Sequence, residues 1–557
     1  MNPRIAALGV VLLTMAVAGR ARAEDRPSEQ DIFGGAASTP TPTPSPGAPA
    51  APTPTTAPSS PVTGAPGPPS PAVAAPPAAA PASEAAGGTA RDQELLSGSN
   101  DAKFLSDYVA PENPLQIGGQ LYLRMQTTAR GGQAPADWSL SAPSLLDLYL
   151  DARPNPRVRA FILGRMSYDP TLPPNGGGVL PQTGQMMSNG AFASSTSPTG
   201  FSTFSNTRGP ATLLDQMWIR FDILNHVFVT AGKQHVHWGT GRFWQPTDYL
   251  HQQKRNPLDV FDARAGTTML KLNIPWEEKG WNFYGFLVAE DPNAATPTVG
   301  QVAGAFRAEA VVAGVELGVD TYLRRGQKPR YGFDFSTGIW DFDVYGDVAV
   351  RPGNDFEHVF STQDSTTTPQ LYPFTGYETQ AVGGINYSRK YNDNDAWTVG
   401  VEYFYNHPGY DNATAYPALL EASFLHGDPS AFPFFYLGRQ YAAVYLTLPA
   451  PYSWNYTSFT LSTLGNLSDE SFITRLDYSV TILTHLSVEA FAGVHYGHLG
   501  GEFRFQIPSN FSSYLSTQPD GQNLVNAYNS LLAGLAYPAA LTDYPVVDLG
   551  VALRLKI

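Results

Sequence analysis

From Leu115 to the last residue, apolar and polar side chains alternate with a period of two, in runs of about ten residues. Leu115, Ile117, Gly119, Leu121, Leu123 and Met125 alternate with Gln116, Gly118, Gln120, Tyr122, Arg124 and Gln126. The pattern returns in Val158, Ala160, Ile162, Gly164 and Met166 against Arg157, Arg159, Arg165 and Asp169. It returns again in Phe342, Val344, Gly346, Val348 and Val350 against Asp341, Asp343, Tyr345, Asp347 and Arg351. Further runs are Trp397 to Asn406, Phe472 to Leu483, Leu486 to Gly497 and Val547 to Ile557. This length suits a tilted strand crossing the hydrocarbon layer, one face to lipid and one to water.

A soluble sandwich also alternates, so the connections must discriminate. Tight ones (Arg153-Pro154-Asn155-Pro156, Leu224-Asn225-His226, Ile339-Trp340, Thr484-His485) alternate with long ones (Asp169 to Gly209, Gln234 to Ala265, Arg351 to Tyr377, His407 to Gly438, Gly497 to Tyr544). Short turns at one end and long loops at the other are the pattern of outer-membrane barrels. Residues 115–557 are therefore expected to form an all-β, transmembrane, antiparallel up-and-down β-barrel of about eighteen strands, with both ends on the periplasmic side. Trp281, Tyr387 and Trp397 fall at inner strand ends, and Tyr168, Tyr405 and Tyr496 at outer ends, as two aromatic girdles would. The amphipathic strand Asp548 to Ile557 is similar to the C-terminal strand that the barrel-assembly machinery reads, with Ile557 where an aromatic is usual.

The segment before the barrel is of another kind. Arg4, the apolar run Ile5 to Gly19 and the small residues of Ala21-Arg22-Ala23 predict a signal peptide over residues 1–23. Residues 24–114 are expected to be a disordered Pro/Ala/Thr-rich periplasmic region, with one short helix near residues 91–108. No charge occurs from Ile32 to Ser83, and so Pro-rich a stretch, at ~3 Å per residue, reaches on the order of 100 Å. Such a tail suits a periplasmic export or cell-wall partner. The chain has no cysteine, which removes disulfides, thiolate metal sites and a lipidated N-terminus. The net charge of -14 argues against nucleic acid, whose binders carry basic footprints.

About eighteen strands enclose a lumen too wide for wall side chains to fill, so water or an inserted segment must occupy it. The candidate insertion is His235 to Tyr249, continued by Lys254-Arg255-Asn256-Pro257 and Arg264. Its predicted constriction and solute-binding residues are Trp238, Arg242, Trp244, Asp248, Lys254, Arg255 and Arg264. Indoles can stack on a sugar ring, while guanidinium and carboxylate groups bond its hydroxyls. The plainer alternative is that the segment folds inward only to buttress the wall. Gly232-Lys233-Gln234, Trp238-Gly239, Pro246-Thr247-Asp248 and Arg264-Ala265-Gly266, in that order, resemble the central segment of porin-like barrels similar in style to alginate-export and other polysaccharide-export channels. The resemblance implies an outer-membrane channel with this segment constricting or lining the pore.

The inferred lumen face is nearly balanced in charge. Arg124, Arg157, Arg159, Arg165, Arg220, Lys271, Arg307, Arg475 and Arg554 stand against Asp147, Asp151, Asp222, Glu309, Asp343, Asp347, Glu402, Asp477, Glu489 and Asp548. A conduit for a strongly anionic polymer needs net positive charge, so a neutral or mixed-charge solute or polysaccharide is expected, with most of these charges paired across strands. No catalytic constellation and no cofactor motif occurs, and the chain is not expected to be an enzyme. His235 with His237, and His495 with His498, lack a third metal ligand along the sequence and read as exposed loop histidines. Tyr391 to Asp395 lacks the Gly and distant Glu of a calcium loop and reads as a polar turn. Two functions fit: a channel for small solutes or a polysaccharide, and a structural or adhesive barrel tethering a partner through its tail. The expected partners are outer-membrane lipid, the barrel-assembly machinery, a periplasmic partner of residues 24–114, and a sugar or other solute.

Overall fold

The computed structural model describes residues 114–130, 134–171, 209–251, 254–258, 264–290, 298–353, 357–360, 370–373, 376–392, 395–416, 419, 435–452, 454–504 and 546–557. The expected signal peptide, tail and short helix lie outside these residues.

The barrel begins with β1 (Leu115–Arg130), β2 (Ser139–Ser141, then Ser144–Asn155), β3 (Val158–Tyr168), β4 (Ala211–Ile223), β5 (Val227–Gln234) and β6 (Thr267–Trp276). It continues through β7 (Trp281–Val288), β8 (Ala303–Val312), β9 (Val315–Leu323), β10 (Arg330–Ile339), β11 (Phe342–Pro352) and β12 (Tyr377–Lys390). It ends with β13 (Ala396–Asn406), β14 (Gln440–Pro449), β15 (Thr457–Asn466), β16 (Ser471–Leu483), β17 (Leu486–Gly497) and β18 (Val546–Lys556). The sheet holds 19 hydrogen-bonded segments, but the two pieces of β2 both pair with β1 and count once, which gives eighteen strands. Ala142 and Pro143 interrupt β2, since proline has no N–H to give the ladder.

Each strand pairs antiparallel with the next, and β1 pairs with β18 from Gln120↔Lys556 to Arg130↔Val546. The barrel is thereby closed, with no edge whose N–H and C=O groups would meet lipid. The expected up-and-down architecture is the one observed. A small separate hairpin, Glu357–Phe360 with Gln370–Pro373, belongs to the long connection between β11 and β12.

The alternation sorts the two faces as the sequence predicts. Ile117 is 71% exposed on the outer wall, whereas Arg124 on the lumen face of the same strand is 3% exposed. Leu123, Met125, Ile162, Ile219, Leu287, Val319 and Leu553 continue the exposed apolar belt. In water such a belt would be an aggregation surface; in a bilayer it is the transfer of apolar area into lipid that holds the barrel in place. Among the described residues no helix is long and apolar enough to cross a membrane, and the strands do the crossing.

Aromatic rings gather at the short-turn end, where Trp276 meets Trp281 at 5.8 Å and Tyr387 lies between Phe342 (5.2 Å) and Trp397 (5.5 Å). At the long-loop end Phe472 stacks on Tyr496 at 5.5 Å. The tight turns use left-handed backbone that matches the strand twist: Leu224 and Asn225 have φ of 54° and 60°, and Ala313-Gly314 has 53° and 82°.

Candidate functional site

The packed core of this barrel lies inside it, because the connection between β5 and β6 turns into the lumen. Val236, Trp238, Tyr249 and Leu250 pack against Met269, Phe286, Ala305, Tyr322 and Ala349. Phe243, Trp244 and Leu258 pack against Tyr345, Phe404, Tyr441, Tyr445 and Ile473. One inserted segment therefore touches the wall from β6 to β16. Two glycines permit the close approach. Gly239 has φ of +92°, and a Cβ there would collide with the Asp347 carboxylate; a Cβ at Gly241 would meet the Trp244 carbonyl.

Glu402, at 0% exposure on β13, is the main anchor. It accepts the backbone N–H of Arg242 (2.7 Å), Phe243 (2.9 Å) and Trp244 (3.0 Å), and the Tyr345 hydroxyl donates to it at 2.8 Å. A carboxylate facing consecutive amides is a strong, charge-assisted contact at a tight turn. Thr247 donates to Asp347 at 3.1 Å, Thr240 to the Gly346 carbonyl at 3.1 Å, and Tyr249 to the Tyr331 carbonyl at 2.9 Å. On the far side, Arg475 donates to the Leu258 carbonyl at 3.1 Å.

The sequence-predicted constriction residues divide by role. Trp238 and Trp244 are 2% and 0% exposed: the first packs edge-on against Phe286, and the second stacks on Phe404 and donates from Nε1 to the Phe435 carbonyl at 3.2 Å. Their indoles face the wall as anchors, with no ring face turned to a solute. Arg242 lies over the Tyr445 ring at 3.9 Å and Lys254 over Tyr436 at 5.6 Å. Arg255 donates to the Arg242 carbonyl at 3.2 Å. Arg242, Lys254 and Arg255 are the members of the set that keep exposure; Asp248 and Arg264 are buried against each other at 3.0 Å.

The predicted lumen charges are mostly paired. Arg159 bonds Asp151 at 2.9 Å, and Arg165 spans Asp147 (3.0 Å) and Asp215 (2.7 Å) at 2% exposure. Arg475 bonds Asp477 at 2.6 Å, and the Asp477 side chain stays 37% exposed. Asp347 and Glu402 hold the insertion, while Arg220 and Asp343 remain half-buried on the lumen face. Asp320 and Asp334, absent from the sequence prediction, share Arg307 at 3.2 and 2.7 Å.

Two histidines correct the sequence expectation of exposed loop residues. His495 is 1% exposed, with Nε2 2.7 Å from Asp548 and Nδ1 2.9 Å from the Phe503 carbonyl. His235 is 3% exposed, with Nε2 2.7 Å from Asp215 Oδ1 and Nδ1 3.3 Å from His251 Nε2. His251 Nδ1 in turn lies 3.0 and 3.1 Å from the Asp248 oxygens. Burial pushes the His251 imidazole down to about 4 despite the Asp248 charge. Burial pushes the Asp248 carboxyl up, but His251, Arg264 and His237 outweigh it and hold the group well below the usual range. His237, Asp248 and His251 bring one ligand atom each within 4.8 Å of one another, so the third ligand that sequence spacing did not supply arrives through the fold.

Asp215 is the residue that sequence reasoning missed most completely. Leu163 pairs with Gln216 and Gly164 with Leu214, which leaves Asp215 as the extra residue of a β-bulge that turns both Asp215 and Gln216 inward. Besides Arg165 and His235 it accepts the Gly266 N–H on its backbone carbonyl at 3.1 Å, so it ties both ends of the insertion to the wall. Two successive polar residues interrupting the alternation of β4 are the signal that could have revealed it.

No family model and no curated protein matches the sequence. Among solved structures the chain is similar to OprD of Pseudomonas aeruginosa, at 9% identity over 79% of this chain and 96% of that one, with a TM-score of 0.40. It is similar to OccAB4 of Acinetobacter baumannii, at 6% identity over 80% and 100%, TM-score 0.40. It is also similar to OprB of Pseudomonas putida, at 8% identity over 80% and 94%, TM-score 0.41. The fold assignment rests on the strand pairing itself.

Proposed function

We propose that this chain is an outer-membrane channel that passes small solutes, with the segment between β5 and β6 as its constriction. The observation that carries this reading is the insertion across a closed eighteen-strand lumen, anchored by the Glu402 carboxylate on the amides of Arg242, Phe243 and Trp244. A barrel needed only as a membrane anchor has no use for so wide a lumen, and a filled lumen with ion-paired walls makes a narrow, selective path. The cations Arg242, Lys254 and Arg255 on the insertion and the half-buried wall carboxylates Asp343, Asp477 and Glu489 give a mixture of signs that suits a neutral or mixed-charge solute such as a sugar. A bulky anionic polymer of the alginate kind suits it poorly, because the path is crossed by its own chain.

The same reading places lipid around the apolar belt, the barrel-assembly machinery at the β18 strand during folding, and a periplasmic partner on residues 24–114. Reconstitution of the purified chain into planar bilayers tests it. Discrete conductance steps, together with swelling of proteoliposomes in small sugars, are expected. Silence in both assays, from wild type and from a chain lacking Arg242 to Asn256, overturns it.

A further inference from the structure

Asp215, His235, His251 and Asp248 form one buried line of contacts: carboxylate to Nε2 at 2.7 Å, Nδ1 to Nε2 at 3.3 Å, and Nδ1 to carboxylate at 3.0 Å. Three hydrogen bonds along such a line need three protons on ring nitrogens. Two neutral imidazoles carry two. If His235 gives its proton to Asp215 and His251 gives its proton to Asp248, two lone pairs meet between the rings. If instead His251 donates to His235, its bare Nδ1 faces the Asp248 carboxylate. The line is short by one proton at the His251–Asp248 end, and His237 stands beside that gap as a further nitrogen donor.

We propose that His237, Asp248 and His251 bind a divalent transition-metal ion of the zinc class. Two imidazoles and a carboxylate are a donor set such ions accept, leaving a fourth position for water. With an ion on His251 Nδ1, His251 Nε2–H donates to His235 and His235 Nε2–H donates to Asp215, so every ring proton has an acceptor and no extra proton is needed. His235 thus fixes the orientation of the ligating His251 ring by accepting its far N–H, the part that a carboxylate or carbonyl plays beside other metal-bound imidazoles. The ion joins the first turn of the insertion to its middle, and so fixes the loop that crosses the lumen. Arg264 is the competitor: its guanidinium sits 3.0 Å from Asp248 Oδ2 and 3.5 Å from His237 Nδ1, and its charge opposes a second cation.

Titrating chelator-treated, detergent-folded full-length chain with Co2+ tests this site apart from any channel activity. The expected result is one ion per chain with the visible absorption of a low-coordinate, nitrogen-ligated Co2+, displaced by Zn2+. His237→Gln and His251→Gln should abolish that spectrum, and Arg264→Gln should strengthen binding. His235→Gln, which touches no ion, should weaken it by about ten- to a hundredfold. Heat-modifiable gel mobility reports whether each barrel is folded; if the buried His251 variant fails to fold, the more exposed His237→Gln carries the test. Absence of a bound ion, or binding that His237→Gln leaves unchanged, overturns the proposal.

Discussion

Glu402 shows how one buried side chain sets the position of a whole loop. Replacing it by alanine strands three backbone donors, at about 1–3 kcal/mol for each buried group left without a partner. Glu402→Ala should therefore lower the thermal midpoint clearly, while Glu402→Gln, which keeps one acceptor oxygen, should lower it less; equal midpoints for the two variants would contradict the anchoring role. Asp215→Ala should cost about 3–5 kcal/mol in urea unfolding, because it leaves Arg165 short of a buried partner. Neither role was legible in the sequence. Glu402 lies 160 residues from the amide it holds, and no local pattern encodes so distant a pairing. For Glu402 and Asp347 alternation alone gives a direction, toward the lumen, and says nothing of partner.

Elements were far more legible. Strand length, face and turn position follow from a period of two, because a half-lipid, half-lumen environment punishes any slip of register. What alternation hides are its interruptions: the bulge at Asp215 and the break at Ala142-Pro143 look like noise until their neighbours are known. The connection after β17 carries a separate prediction. Glu502 is fully buried there, accepting from Tyr441 at 2.6 Å and Asn466 at 2.9 Å, beside Asp469. Burial, then the Asp469 charge, push its carboxyl from 4.5 up to about 8. The folded state thus holds this proton more tightly than the unfolded chain does. The resulting stability is complete below the ordinary carboxyl range and is lost as pH rises through about 8. Glu502→Gln, which cannot ionise, should raise the thermal midpoint at pH 8 relative to wild type by more than at pH 5; the reverse order would contradict the assignment.

At the scale of the molecule, the lumen holds a packed core beside wall charges that, among the described residues, are largely neutralised in place. Arg165 with Asp147 and Asp215, Arg307 with Asp320 and Asp334, and Arg159 with Asp151 are wall structure. Such a path should discriminate weakly by the sign of charge, so the reversal potential across a KCl gradient should lie near zero. A strongly cation- or anion-selective potential would show that other charges line the route. The insertion was legible as a segment, through its Gly, Trp and Arg content, but the distant wall residues it reaches, Glu402 and Ile473 among them, were not.

Single-channel conductance in planar bilayers, wild type against a chain lacking Arg242 to Asn256, measures whether that insertion is the constriction. A severalfold larger conductance after the deletion, in a barrel that still folds, is the result this structure predicts. Equal conductances from two folded barrels would contradict it.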